Sequence, residues 1–279
     1  MFKCDLHTHS ICSDGRFTPK EIIGMAKKKE LNYISLTDHD TLTGINEAIE
    51  EAEKLNVNFI PGIELSTEYN GESIHVLGFF TKETYNNPKL NKVLNEFKEN
   101  RIARAYKIVE NLKKLHNIKL DINKVLSNGK DTIARPHIAK AIIDAGYHYD
   151  HEYIFNNFIG NNCPAYIPST KLSTIDGIKL LKEFNALVFL AHPILVKKTP
   201  IEDLLNLGFD GLEAIYYRNS KSDTINLLNL AKEKNLYISC GSDCHGIPSD
   251  PSHGNVGDVV IPQDNDTLKM LEWLKKLQD

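Results

Sequence analysis

The chain has 279 residues, 41% hydrophobic and 25% charged, a make-up that fits one large globular α/β domain or one domain carrying a smaller insert. Its net charge of −4 argues against a non-specific binder of duplex nucleic acid, while leaving room for a small anionic substrate or a strand end held by local groups. No apolar run approaches the roughly 20 residues of a membrane helix, no signal-peptide pattern opens the chain, and five cysteines without a C-x-x-C spacing support neither a disulfide framework nor a zinc finger, so a cytoplasmic protein is expected.

Residues 1–6 form a strand-length apolar run that ends in His7-Thr8-His9. Side chains alternate along a strand, so His7 and His9 share a face and make half of a metal site. Asp14-Gly15 reads as a turn that brings Asp14 back toward that pair. Thr18-Pro19, with Glu21 three residues after the cap, opens a helix running to about residue 30. Residues 32–37 are a buried-type strand ending in Asp38-His39-Asp40, and a helix over 43–55 follows, with Ile45, Ala48, Ile49 and Ala52 at helical spacing. The third strand, 57–60, ends in Pro61-Gly62-Ile63-Glu64. Gly71 then marks a hairpin turn before a strand over 73–80 that carries His75. The repeat of strand, polar cluster and helix predicts parallel strands with crossover helices.

From about Pro88 this alternation stops. Residues 88–116 read as one long helix and shorter helical segments follow to about 158, so 88–168 is expected to be a helical insertion between two halves of an α/β domain. Arg135-Pro136-His137 opens one of its helices, with Pro136 at the first helical position. Residues 161–169 are an irregular return loop. The alternation then resumes: helix 174–184, strand 186–190 ending in Ala191-His192-Pro193, a helix near 201–207, and strand 211–215 bearing Glu213. Helix 222–234 leads to strand 236–240 and to Gly241-Ser242-Asp243-Cys244-His245-Gly246. A terminal helix carries Leu268, Leu271, Trp273, Leu274 and Leu277.

The polar clusters sit where the strands end. His7 and His9 follow the first, His39 the second and Glu64 the third; His75 is on the fourth, His192 follows the fifth, and Asp243 and His245 follow the last. In a β/α barrel all those ends gather on the face that holds the active site. A single histidine at a strand end is ordinarily a satisfied polar residue, but six at one face are not. With Asp14, nine potential ligands converge, more than one four- to six-coordinate ion can use. Two or three divalent ions are therefore expected, Mn²⁺ first, with Fe²⁺ or Zn²⁺ as alternatives. Glu64 is the candidate bridge between two of them. Such a cluster generates hydroxide at neutral pH and neutralises oxyanion charge, which suits phosphoester hydrolysis. Neither a Gly-rich phosphate loop nor a serine elbow points elsewhere. Asp14, Glu64, His192 and Asp243 are the ligands expected to act most directly in catalysis.

Asp5-Leu6-His7-Thr8-His9-Ser10, Thr37-Asp38-His39-Asp40, Pro61-Gly62-Ile63-Glu64, Ala191-His192-Pro193 and Gly241-Ser242-Asp243-Cys244-His245-Gly246 together resemble the PHP (polymerase and histidinol phosphatase) family, in order and over nearly the whole chain. The resemblance implies an α/β fold, a distorted (β/α)7 TIM-like barrel with an inserted helical domain, and a two- or three-metal phosphoesterase site. The barrel would take residues 1–87 and 169–279, and the insertion 88–168 would cap the site. Many members have a histidine where this chain has Asp14. The carboxylate, with Arg135-Pro136-His137, resembles the subgroup of nucleoside 3′,5′-bisphosphate phosphatases and a related 5′-to-3′ RNA-trimming exonuclease.

The expected activity is metal-dependent hydrolysis of a phosphomonoester on a small phosphorylated metabolite or nucleotide, a nucleoside 3′,5′-bisphosphate foremost. A histidinol-phosphate phosphatase, an exonuclease on short RNA or DNA ends, and a non-catalytic metal-stabilised interaction module are the competing readings. Arg135 is expected to grip substrate phosphate bidentately, with His137 a second substrate-binding candidate. Neither a membrane nor stable duplex nucleic acid is an expected partner. Glu213 is left between packing and a role at the ligand face. His116, His148, His151 and His253 are read as surface or loop residues.

Overall fold

A computed structural model describes residues 2–129, 133–168, 172–248 and 250–278, so Ser169, the last residue of the expected return loop, lies outside the described residues. The chain divides into two compact units, Met1–Asn91 with Lys171–Asp279, and Lys92–Thr170. No helix among the described residues is long and apolar enough to cross a membrane.

The first unit runs β1 (Cys4–Asp5), α1 (Pro19–Lys28), β2 (Tyr33–Leu36), α2 (Ile45–Leu55), β3 (Phe59–Tyr69) and β4 (Glu72–Phe79). Local chemistry sets several of these boundaries. The Thr18 hydroxyl accepts from the Glu21 N–H at 3.2 Å while the Glu21 carboxylate accepts from the Thr18 N–H at 2.7 Å, a reciprocal cap that starts α1. Asn56, in the left-handed region at φ 51°, ends α2.

Two expectations for this half are corrected. β3 does not stop at residue 60 but continues through Pro61-Gly62-Ile63-Glu64, so Glu64 sits inside a strand of 11 residues. β4 pairs antiparallel with β3, and antiparallel again with the strand on its other side, so the sheet is not wholly parallel. The cause is the Asn70-Gly71 turn, where φ is +49° and +75°. Two successive left-handed residues close a two-residue hairpin, which reverses the chain and leaves no room for a crossover helix.

The helical unit holds most of α3 (Pro88–His116), then α4 (Ile122–Gly129), α5 (Arg135–Asp144), α6 (His151–Ile154) and a π-helical turn, Phe155–Ile159. It has its own core, centred on Ile108, Leu112, Val125, Ile142 and Ile154.

The barrel unit resumes with β5 (Leu172–Ser173), α7 (Thr174–Glu183), β6 (Leu187–Leu190), α8 (Ile201–Leu205), β7 (Gly211–Tyr216), α9 (Lys221–Glu233) and β8 (Tyr237–Gly241), and ends in α10 (Asn265–Leu268) and α11 (Met270–Lys276). Seven strands follow one another in the order β1-β2-β3-β4-β6-β7-β8, with β5 set on the side of β3. The ends of the row meet. Leu6 N–H donates to Cys240 O, Asp243 N–H to His7 O and His9 N–H to Cys244 O, each at 2.9 Å. The result is a nearly closed, distorted α/β barrel. Beside the start of β8, Trp273 is fully buried against Phe79 and Phe189. Its indole N–H donates to Ile238 O at 3.1 Å, which satisfies the one polar group that burying tryptophan brings inside.

Candidate metal centre

His7 and His9 leave β1 on the same side, both fully buried. Thr8 turns away between them, its hydroxyl donating to Ser35 O at 2.7 Å. The Nε2 of His7 lies 3.3 Å from Glu64 Oε2 and 3.4 Å from Asp243 Oδ1. His9 Nε2 lies 3.2 and 3.1 Å from the same two oxygens. These four groups form one ligand set.

Glu64 also reaches further. His39 Nδ1 is 3.0 Å from Oε2, while His75 Nδ1 and His192 Nε2 are 2.8 and 2.9 Å from Oε1. His39, Glu64 and His75 make a second set, and His9, Asp14, His39 and His245 a third. Asp14 does fold back: Oδ1 is 3.2 Å from His245 Nε2 and Oδ2 is 3.7 Å from His39 Nε2. All nine residues singled out from the sequence thus lie together in the barrel unit.

The backbone is bent to serve this cluster. His192 and Asp243 have φ of +27° and +55°, conformations that cost energy for a residue with a side chain and that collect at functional sites. Three groups hold the ligands in place. Glu213, which the sequence left ambiguous, has Oε1 3.0 Å from His7 Nδ1 and accepts the His192 N–H at 2.7 Å through Oε2. A carboxylate on one imidazole nitrogen directs the lone pair of the other toward the centre. The Tyr216 hydroxyl donates to Asp243 Oδ2 at 3.1 Å, and His245 Nδ1 is 2.8 Å from Asp243 O. The legible sign of Glu213 was a carboxylate in an otherwise apolar strand, Gly211-Leu212-Glu213-Ala214-Ile215.

Arg135 and His137 lie in the helical unit. Arg135 Nη1 donates to Ile159 O at 3.3 Å and to Asn161 Oδ1 at 2.9 Å, with the guanidinium over the rings of Phe155 and Tyr166. His137 Nδ1 accepts from the Ala134 N–H at 3.0 Å, capping its own helix.

Several atoms of the cluster are unsatisfied by protein. His7 Nε2, His9 Nε2 and Glu64 Oε2 are buried without a hydrogen-bond partner among the described residues. Leaving such groups unpaired is costly, and their mutual approach within 3.4 Å makes them a set that could hold a metal ion. Imidazole and carboxylate donors without thiolate fit Mn²⁺, Fe²⁺ or Zn²⁺.

Protonation follows from the same packing. Burial alone would lower the pKa of His39, but the Glu64 and Asp14 carboxylates more than reverse that and hold it at about 10. Burial pushes the Glu64 carboxyl up, and His39, His7 and His75 outweigh it, holding the group well below the usual carboxylate range. The metal-free cluster therefore keeps a proton on His39 at neutral pH that an incoming ion must displace. Because the folded-state pKa of His39 is raised from 6.5, its contribution to metal-free stability is full below that value and fades as pH rises through about 10. Metal affinity should run the opposite way and increase with pH over the same window. Calorimetric titration in two buffers of different protonation enthalpy should show net proton release at neutral pH; buffer-independent heats would contradict it.

Comparison with known proteins gives three findings. The model of the PHP domain matches residues 5–155. A 5′-3′ exoribonuclease of Haemophilus influenzae is 31% identical over 251 residues, 87% of this chain and 90% of that protein, and a 3′,5′-nucleoside bisphosphate phosphatase of Chromobacterium violaceum is 28% identical with 88% of each chain covered. A solved structure of an amidohydrolase from Chromobacterium violaceum, with bound sulfate and no metal, superposes with a TM-score of 0.81 at 26% identity, covering 99% of this chain and 96% of that one.

Proposed function

The chain belongs to the PHP domain family, and from that premise we propose that it is a metal-dependent phosphoesterase that removes a phosphate from a nucleoside 3′,5′-bisphosphate. The observation that carries the reading is the set of buried, unpartnered ligand atoms on His7, His9 and Glu64 beside Asp243. The three ligand sets support two or three ions per chain, with Mn²⁺ first and Fe²⁺ or Zn²⁺ next. Divalent ions supply a water of lowered pKa and offset charge on phosphoryl oxygens.

The chain's own residues do the rest. Glu213 orients His7 and fixes the backbone of His192. Tyr216 holds one oxygen of Asp243 while the other faces His7 and His9. Asp38, buried beneath, accepts from Ser10 N–H at 2.7 Å and from the Ser10 and Ser13 hydroxyls at 2.7 and 2.6 Å, which ties down the turn that brings Asp14 to the cluster. A cytoplasmic setting suits five cysteines of which none is joined in a disulfide among the described residues.

Support for a bisphosphate substrate comes from the similarity to the bisphosphate phosphatase and from Arg135. Its guanidinium is held by Asn161 and the Ile159 carbonyl, so less freedom is lost when it grips an anion. We assign it to the second phosphate of the substrate, which histidinol phosphate lacks. A charge-assisted hydrogen bond contributes about 1.5–3 kcal/mol. Arg135→Ala should therefore lower kcat/KM on the bisphosphate about 10- to 150-fold, Arg135→Lys should recover part of that, and a small monophosphate should feel little of either change. Wild-type preference for histidinol phosphate, or equal losses on both substrates, would remove the bisphosphate assignment.

A second reading, stepwise hydrolysis of short RNA from the 5′ end, is favoured by the similarity to the exoribonuclease. Release of 5′-mononucleotides from a 5′-phosphorylated RNA oligomer, faster than phosphate from the bisphosphate, would select it.

A further inference from the structure

The loop that follows the last motif carries a histidine that none of the three ligand sets uses. His253 Nδ1 lies 2.5 Å from Asp250 Oδ2, and its Nε2 lies 3.8 Å from Asp243 Oδ2. Its ring faces that of His245 at a centroid distance of 4.2 Å. Asp243, His245 and His253 each offer one ligand atom within 4.8 Å of the others.

The described residues at both ends of this loop are hydrogen-bonded in place. Gly254 N–H donates to Ser242 O at 2.8 Å. The Asp5 carboxylate accepts from Ser242 N–H and from Gly257 N–H at 2.9 and 2.7 Å, pinning both ends of the segment to one buried group. A Cβ on residue 254 would lie 2.8 Å from the Tyr217 ring and 3.2 Å from Ser242 Cβ, so the chain beside His253 rests directly against the end of β8. Asp250 also accepts from the Ser252 N–H at 2.8 Å. A histidine with a carboxylate on Nδ1 and Nε2 turned toward a ligand carboxylate has the arrangement of a metal ligand with its orienting partner.

We propose that His253 is a further metal ligand, which with Asp243 and His245 forms a rim position for a divalent cation of the imidazole-binding class, Asp250 fixing the ring. Asp243 serves this position through Oδ2 while Oδ1 faces His7 and His9, the division expected of a bridging carboxylate. His245 has one lone pair to give, so an ion at the rim draws it from the Asp14 set, and the rim is the seat of the most weakly held ion. The inference takes from the preceding reading only that the cluster binds metal, and its test needs no substrate.

Metal-free full-length protein is titrated with Co²⁺, followed by calorimetry and by the visible absorption of the bound ion, as wild type, His253→Gln and Asp250→Asn. Loss of an orienting partner lowers metal affinity about 10- to 100-fold. Asp250→Asn should weaken the last equivalent to that extent, and His253→Gln should weaken it at least as much and change its absorption band. The tighter equivalents should not move. Titrations and spectra of His253→Gln that superimpose on wild type, or a loss spread over every equivalent, overturn the proposal. Protein that binds Co²⁺ as expected but releases no phosphate would strike the phosphoesterase reading and leave the rim site standing.

Discussion

Replacing Glu64 with glutamine should reduce kcat by about 10³-fold or more, since a catalytic metal supplies several kcal/mol of transition-state stabilisation. Glu64 is the residue on which the ligand sets converge. Oε2 is within 3.3 Å of nitrogens on His7, His9 and His39, and Oε1 within 2.9 Å of nitrogens on His75 and His192. Glutamine keeps the volume and the place in β3, but it turns one ligand oxygen into an NH₂ group and removes the charge that faces five imidazoles. Packing should survive while the carboxylate shared by two of the candidate ligand sets is lost. The measurement pairs kcat from phosphate release with elemental analysis of the purified variant. At least one equivalent of metal should disappear with the activity. Full metal content with near-wild-type turnover would show that Glu64 is not a bridge.

Gly241→Ala should unfold the centre from behind without touching any ligand atom. The β1 and β8 backbones approach so closely there that an added Cβ would fall within 3.0 Å of both His7 Cβ and Glu213 Oε1, closer than real Cβ contacts come. Neither neighbour can step aside. The His7 segment is hydrogen-bonded to β8 on both sides, through Leu6 N–H to Cys240 O and Asp243 N–H to His7 O. Glu213 is held by His7 and His192. Overpacking of this kind costs about 1–3 kcal/mol and at times more, and each kcal/mol lowers Tm by about 2–4 °C for a domain of this size. Metal content should fall along with Tm, because the displaced groups are His7 and the carboxylate that orients it. Gly24→Ala is the control: nothing lies within 4 Å of its Cβ on α1, and alanine is the better helix former. A Gly241→Ala protein with wild-type Tm and full metal would mean the strands can part without loss.

Much of the centre could be read from local rules. Alternation along a strand is a property of the extended chain itself, so His7-Thr8-His9 already placed two imidazoles on one face. The Thr18-Pro19 cap, the Asn70-Gly71 turn and the long apolar periodicity of 88–116 are equally local, and each element stands where those signals put it. The gathering of strand ends in a β/α architecture then brought Asp14, His39, His75, His192, Asp243 and His245 toward the same place. Local rules thus pointed to the candidate ligands and to the class of fold. Tertiary structure decided how they are used. A positive-φ turn sends β4 back along β3, and that pairing carries Glu64 into the middle of a strand where it can face five imidazoles at once. Glu213 acquires its partner His7 only when β7 and β8 close on β1, whereas His253 meets Asp250 and Asp243 within the one stretch of chain that follows β8. The Glu213–His7 contact joins residues far apart along the chain, and no periodicity or spacing encodes which distant groups the closure of the sheet will set side by side.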